Sequence, residues 1–313
     1  MIARHAPGAS ATPCVAATPR RRQPCVTAAA AAIAAASALR RRPRRRRLVA
    51  TATAIVAPVT TFEDAGEWLA RRAVSLAASL PGGRALVGIT GPPGGGKSTL
   101  AALVRERADA LLRQQQEPSS SSSSLAVILP MDGFHYTRAQ LDAFTDPRAA
   151  HARRGAPHTF DADAFVAAVA QARAPSSPTT FRVPSFDHAV KDPVADAIEI
   201  PAEARVVFVE GNYLLLDEQP WAQLWRGGER GGGDPQAPLL DETWFVDAPL
   251  EAAMAHIFAR QTSAGVGLSP EESRRRVEQN DAPNARLVVG CRARATVLVP
   301  GELPMRGEAA SAA

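Results

Sequence analysis

Residues 84–100 read RALVGITGPPGGGKSTL, an apolar run, a glycine-rich turn and then a helical run. Leu86, Val87 and Ile89 supply a buried strand, and the stretch from Thr99 through Leu100, Val104 and Arg107 supplies a helix. Between them Gly91, Pro92, Pro93, Gly94, Gly95, Gly96, Lys97 and Ser98 follow the spacing G-x-x-x-x-G-K-S, in the strand-to-helix context that gives the motif meaning. Such a loop lines up backbone N–H groups in a concave nest and adds the positive end of a helix dipole. Both attract a polyphosphate. The Lys97 ammonium is expected to reach the β- and γ-phosphates, and the Ser98 hydroxyl to bind Mg²⁺. A nucleoside triphosphate site is the reading.

Lysine use points the same way. The chain holds 36 Lys plus Arg, and two of these are lysines, Lys97 and Lys191. Where a diffuse surface cation suffices this sequence uses Arg, so a retained Lys marks a need for a compact point charge. Lys97 meets that need at the phosphate loop, and Lys191 becomes a candidate on the same ground.

The net charge of +5 belongs to one end of the chain. Residues 1–62 carry eleven Arg and no Asp or Glu, while the remainder holds 25 cations against 31 anions. Nucleic-acid binding by the folded part therefore has no compositional support. The Arg-, Ala-, Ser- and Thr-rich segment 1–55 reads as a disordered organelle transit peptide, for the chloroplast stroma first and the mitochondrion second. Its alanine run at 28–36 is too short and too weakly apolar to span a membrane, so none is expected to hold the mature form. Cys14 and Cys25 lie in this leader and Cys291 alone in the body, which excludes an internal disulfide there.

Residues 60–300 suffice for one α/β domain with a substantial core, followed by a tail, 301–313, read as disordered. A helix is expected over 62–80, with Thr61 and Asp64 in a capping arrangement. Strands are expected at 85–90, 125–129, 206–209, 243–246 and 295–299, short apolar runs that suit a parallel sheet covered on both faces. The chemistry gathers at their carboxyl ends, where doubly wound sheets place ligands. The stretches 114–124 (QQQEPSSSSSS) and 227–237 (GGERGGGDPQA) each precede a strand and read as flexible insertions on the opposite rim.

Two carboxylates stand out. Asp132 leaves the second strand at a glycine turn and is placed to act as a base. Glu210 ends the apolar run 206–209, where a carboxylate is costly unless it meets a metal, water or a cation. Asp161 and Asp163 are expected to open a helix over 162–172.

Five ordered segments then resemble one family: the phosphate loop, MDGFH (131–135), RGAPHTFD (154–161), PSFDHAVK (184–191) and VEGNYLLL (209–216). Over about residues 62–300 they look like the phosphoribulokinase/uridine kinase group of P-loop kinases, most nearly its pantothenate-kinase-like and uncharacterised nucleoside- or sugar-kinase-like branch. The resemblance implies an α/β P-loop NTPase fold, a doubly wound five-stranded parallel sheet with flanking helices and a helical lid. It also implies ATP and Mg²⁺, with the γ-phosphoryl group passing to a hydroxyl of a small molecule. Nucleosides, pantothenate-like alcohols and sugars or sugar phosphates are the acceptor classes it offers. By position Asp132 matches the catalytic aspartate, Lys97 the loop lysine, and Glu210 an acid that shares Mg²⁺ with Ser98. Asp132, His135, Arg154, Asp161, His188 and Lys191 fall in acceptor-site segments.

The lid would span 259–286. Ser269-Pro270-Glu271-Glu272 is a helix start with its N-cap, N1 proline and capping-box glutamate in order. Lids of this family contribute arginines that neutralise the phosphates, which makes Arg260 and Arg274 candidates. The run from Asn280 to Asn284 is expected to end the lid helix, and Trp221 and Trp225, four apart, to face the core. A nucleotide-driven switch or assembly ATPase is the competing reading. It accounts for the loop and Glu210 but leaves Asp132 and the acceptor segments without a role.

Overall fold

The computed structural model describes residues 54–115, 123–174, 179–187, 189–229, 235–264 and 266–306. Residues 1–53 of the expected transit peptide (1–55), the middle of both expected insertions, His188 and residues 307–313 of the expected tail (301–313) lie outside the described residues.

The chain opens with β1 (Ile55–Val56) and α1 (Phe62–Ser79), whose N-cap Thr61 accepts the Asp64 amide at 3.1 Å. β2 (Ala85–Thr90) runs through the phosphate loop into α2 (Lys97–Gln114), and β3 (Ala126–Pro130) into a 3₁₀ turn at Met131–Phe134. Short helices α3 (Arg138–Asp142) and α4 (Pro147–Ala152) precede α5 (Ala162–Arg173). A hairpin of β4 (Phe181–Asp187) and β5 (Asp192–Ile200) follows, then β6 (Val206–Glu210) and α6 (Ala222–Trp225). A two-residue ribbon, β7 (Gly228–Glu229) and β8 (Pro235–Gln236), leads to β9 (Glu242–Asp247). The chain closes with α7 (Leu250–Thr262), α8 (Pro270–Arg276), a π-helical turn (Val277–Asp281), α9 (Ala282–Val289) and β10 (Val297–Pro300).

The central sheet has the order β1-β10-β9-β2-β6-β3, every neighbouring pair parallel. Its five expected strands are present, and β1 adds a sixth at the edge. That strand was not legible: it is two residues long, and both side chains are exposed, so it has no inward-facing pattern. The last strand lies slightly later than 295–299, because a 3₁₀ turn at Arg292–Arg294 delays it.

Strand alternation divides the core. Val207 and Val209 face one cluster with Phe165, Tyr213 and Trp221, while Val206 and Phe208 face another with Leu69, Leu100 and Trp244. All residues of β2 and β6 are buried, which is why both read as continuous apolar runs. Each fully buried Leu or Phe contributes roughly 1.5–3 kcal/mol.

Two features depart from expectation. The hairpin β4–β5 was not foreseen, since Pro184 and Pro193 interrupt its alternation and the pairing shifts register between Val183 and Ser185. The lid helix does not end at 280–284. Pro283 has no amide to donate, and the chain widens into the π-helical turn before it and then continues as α9.

Candidate active site

The phosphate loop leaves β2, the middle of the sheet. Gly94 and Gly96 sit at φ 80° and 85°, a left-handed conformation open to glycine. A Cβ on Gly94 would lie 2.2 Å from the carbonyl oxygen of Ala253, so α7 presses directly on the loop. Gly96 caps α2, and Lys97 is its first residue. The Lys97 side chain is buried, and its Nζ donates to the Pro92 carbonyl at 3.0 Å.

Four charged groups from four elements converge there. Burial pushes the Lys97 pKa down; Glu210 and Asp132 pull it back up, and Arg260 adds to the lowering. Glu210, at the end of β6, is buried and accepts a hydrogen bond from Ser98 Oγ at 3.4 Å. Burial raises its pKa to about 7 and the nearby Asp132 carboxylate adds to the rise, against the pull of Lys97 and the Ser98 hydroxyl. Desolvation outweighs pairing for both members of the Lys97–Glu210 pair. Asp132 itself sits in the 3₁₀ turn after β3. A Cβ on the next residue, Gly133, would lie 2.1 Å from the Pro184 carbonyl, so β4 packs against the turn that carries the carboxylate.

The segments expected to hold the acceptor surround that turn. His135 Nδ1 lies 2.8 Å from the Asp132 carbonyl, and its ring packs at a tilt against Phe160 (3.9 Å between centroids) and Phe186 (4.9 Å). Asp161 caps α5 through the Ala164 amide at 2.9 Å, and its own amide donates to the Phe134 carbonyl. Arg154 donates to the Tyr136 carbonyl at 2.9 Å, to Asp192 Oδ1 at 2.7 Å and to the Lys191 carbonyl. Lys191 stands exposed at the β4–β5 turn with φ 63°. Arg274 is exposed on α8 with its guanidinium 5.8 Å from the Phe258 ring, while the charge of Arg260 acts on Lys97.

The segment expected to form a lid is fastened to this side. Buried Asn280, in the π-helical turn, donates to the Arg154 carbonyl at 3.0 Å and accepts from Asn284 at 3.3 Å. Arg153 donates to the Gln279 carbonyl and to Asn284 Oδ1. From beneath, the Tyr213 hydroxyl donates to the Gly155 carbonyl; burial holds its pKa well above the ordinary value. Sequence reading passed over Tyr213 and Arg153. Tyr213 follows Glu210 by three residues in a quoted motif and could have been found; Arg153 had no signal beyond its neighbour.

On the opposite flank a cavity of about 130 Å³ opens beside Gly95 and Gly96, lined by Phe62, Leu100, His256 and the segment 299–303. It lies at the ends of β9 and β10, whereas Asp132 lies beyond β6. The phosphate loop separates the two.

No family model matches the chain. It is 35% identical over 205 residues to a Schizosaccharomyces pombe protein named "Putative uridine kinase C227.14", covering 66% of this chain and 78% of that one. It is 39% identical to an Aspergillus versicolor "ATP-dependent kinase-like protein", over 55% of this chain and 94% of the relative. Among solved structures, the "putative fructose transport system kinase from Silicibacter sp. TM1040" superposes with a TM-score of 0.58 at 29% identity, over 74% of this chain and 98% of that one. With a shared fold and more than a third of its aligned residues in common with a relative it largely spans, the chain belongs to the uridine kinase-like group of P-loop, ATP-dependent kinases.

Proposed function

We propose that this kinase transfers the γ-phosphoryl group of ATP to a hydroxyl of a small metabolite, a nucleoside, pantothenate-like alcohol or sugar, with Asp132 as the general base. One observation carries the reading: the carboxylate of Asp132 bears electrostatically on both Lys97 and Glu210, so base, loop lysine and buried acid share one site. A switch ATPase would turn such a carboxylate on water, so dependence on a metabolite acceptor separates the two readings.

In this reading the loop amides and Lys97 hold the β- and γ-phosphates and neutralise charge as the bond to the γ-phosphorus loosens. Arg260, in the last turn of α7, adds a second cation on the same side. Asp132 orients the acceptor hydroxyl and takes its proton. The flank cavity beside Gly95 receives the nucleotide base.

The donor set fits Mg²⁺. Ser98 and Glu210 present a hydroxyl and a carboxylate side by side, and a buried acid pushed toward neutrality gains from a cation. When bound, Mg²⁺ would offset phosphate charge.

The test is ADP release by the purified chain with and without hydroxylated metabolites. Acceptor-dependent release supports the assignment. Fast ATP turnover that no metabolite stimulates would sink it.

A further inference from the structure

Resting on that kinase reading, we infer that residues 302–306, clasped to the first turn of α1, are a nucleotide-binding element: they roof the cavity beside Gly95 and hold the adenine ring of ATP in it.

The cavity has walls of two origins. One is the phosphate-loop side, with Gly95, Gly96, Leu100 and Val246; the other comes from near the two ends of the described residues, Phe62 and the segment from Gly301 to Leu303. Those ends are tied to each other. The Phe62 amide donates to the Pro304 carbonyl at 3.0 Å. The Arg306 amide donates to Glu63 Oε2 at 2.8 Å, joining residues 243 positions apart, and the Arg306 guanidinium donates to Asp64 Oδ1 at 2.8 Å. These bonds use what a helix start leaves open, a first-turn amide and two first-turn carboxylates.

The other end of the segment is pinned to the sheet. The Gly301 amide donates to the Asp247 carbonyl at 3.2 Å, and a Cβ on Gly301 would lie 2.4 Å from the Ala248 Cα. Between the two anchors Glu302 stands at φ 58°, a left-handed conformation that a non-glycine residue keeps only where its surroundings impose it. Leu303 and Phe62 pack against the same core cluster as Leu100. The Arg306–Asp64 pair is 69% and 38% exposed, too open to add much to stability. Its effect is to fix where the segment lies.

The lining says what the roof covers. Among the described residues around the cavity, His256 and Glu302 alone have polar side chains, and His256 already faces the Gly94 carbonyl at 3.3 Å. A slot lined by Phe62, Leu100, Val246, Val299 and Leu303 favours a flat aromatic ring through apolar contact. On the same reading the phosphates meet the loop amides and Lys97. The clasp therefore acts on the ring and not on the phosphate chain.

The experiment measures dissociation constants of ATP and of inorganic tripolyphosphate by calorimetry with Mg²⁺, for the full chain and for a chain lacking 302–313. The full chain is expected to bind ATP more tightly than tripolyphosphate. The deletion should weaken ATP by about tenfold or more, the contribution of roughly one apolar side chain, and leave tripolyphosphate within about twofold. Unchanged ATP affinity overturns the inference and leaves the kinase reading intact. So does a loss shared equally by both ligands, which is what a merely structural segment would give, and so do equal affinities in the full chain. A full chain that binds neither ligand removes the kinase reading as well. Arg306→Ala keeps Leu303 in place and should weaken ATP by about threefold at low salt, less at high salt, with tripolyphosphate unmoved. An unaltered ATP constant in that variant overturns the part given to the clasp.

Discussion

The two flanks of β2 are built by opposite means. Toward β9 and β10 the site is backbone and apolar surface: glycines, Val246, Ala248, Val299 and Phe62 around a small cavity. Toward β6 and β3 it is a mesh of side chains, with Tyr213, Arg153, Arg154, Asn280 and Asn284 each bonded to another segment of the protein. On the proposed function, the contrast follows from what each flank would recognise. A triphosphate can be held largely by backbone amides, with the loop lysine adding a point charge. An acceptor hydroxyl must be oriented and deprotonated, which side chains alone can do.

The sharpest way to break the comparison is to remove one member from each flank. On the proposed function, Lys97→Ala should abolish measurable transfer and weaken ATP binding, because the loop loses its point charge. Asp132→Asn should lower kcat by roughly 10²–10⁴-fold while the ATP dissociation constant hardly moves. Near-normal turnover in Asp132→Asn would mean the base lies elsewhere.

Glu210, between the flanks, gives a pH signature. Its folded pKa, about 7, lies above the ordinary 4.5. Below about 4.5 the group is protonated in folded and unfolded chains alike, and its stabilising contribution is complete. As pH rises through 7 the unfolded chain has ionised and the folded one must follow, so the contribution is lost. The nucleotide-free protein should therefore lose on the order of 1–3 kcal/mol between pH 5 and 7.5, measured by urea unfolding. Glu210→Gln should flatten that slope, and an equal slope in the variant would contradict the burial argument.

The smallest effect tests the mesh. Tyr213→Phe removes one buried hydroxyl from the Gly155 carbonyl, at about 1 kcal/mol of stability. It should raise the acceptor KM several-fold and leave the KM for ATP alone. A change in the ATP constant instead would show that the flanks are not separable.

This asymmetry also explains what could be read in advance. Phosphate binding depends on glycine spacing between a strand and a helix, which is local in sequence, so the loop, β2 and α2 were legible. Ser269 and Glu272 form their capping box as expected for the same reason. Asp132 and Glu210 were found because they end apolar runs at the carboxyl edge of the sheet. The destinations of Arg154 and Asn280 were not, because their partners lie 38 and 126 residues away and no local pattern encodes such a pairing. Edge strand β1 escaped for lack of an inward face.

That edge strand bears on how the protein should be produced. The Ile55 amide bonds to the Thr296 carbonyl, and the Ala57 amide to that of Leu298. A recombinant boundary drawn at residue 60, near the end of the acid-free stretch, would strip this pairing and leave β10 as a bare edge open to other chains. Starting at residue 54 or earlier keeps β10 covered and makes a soluble preparation the expected result.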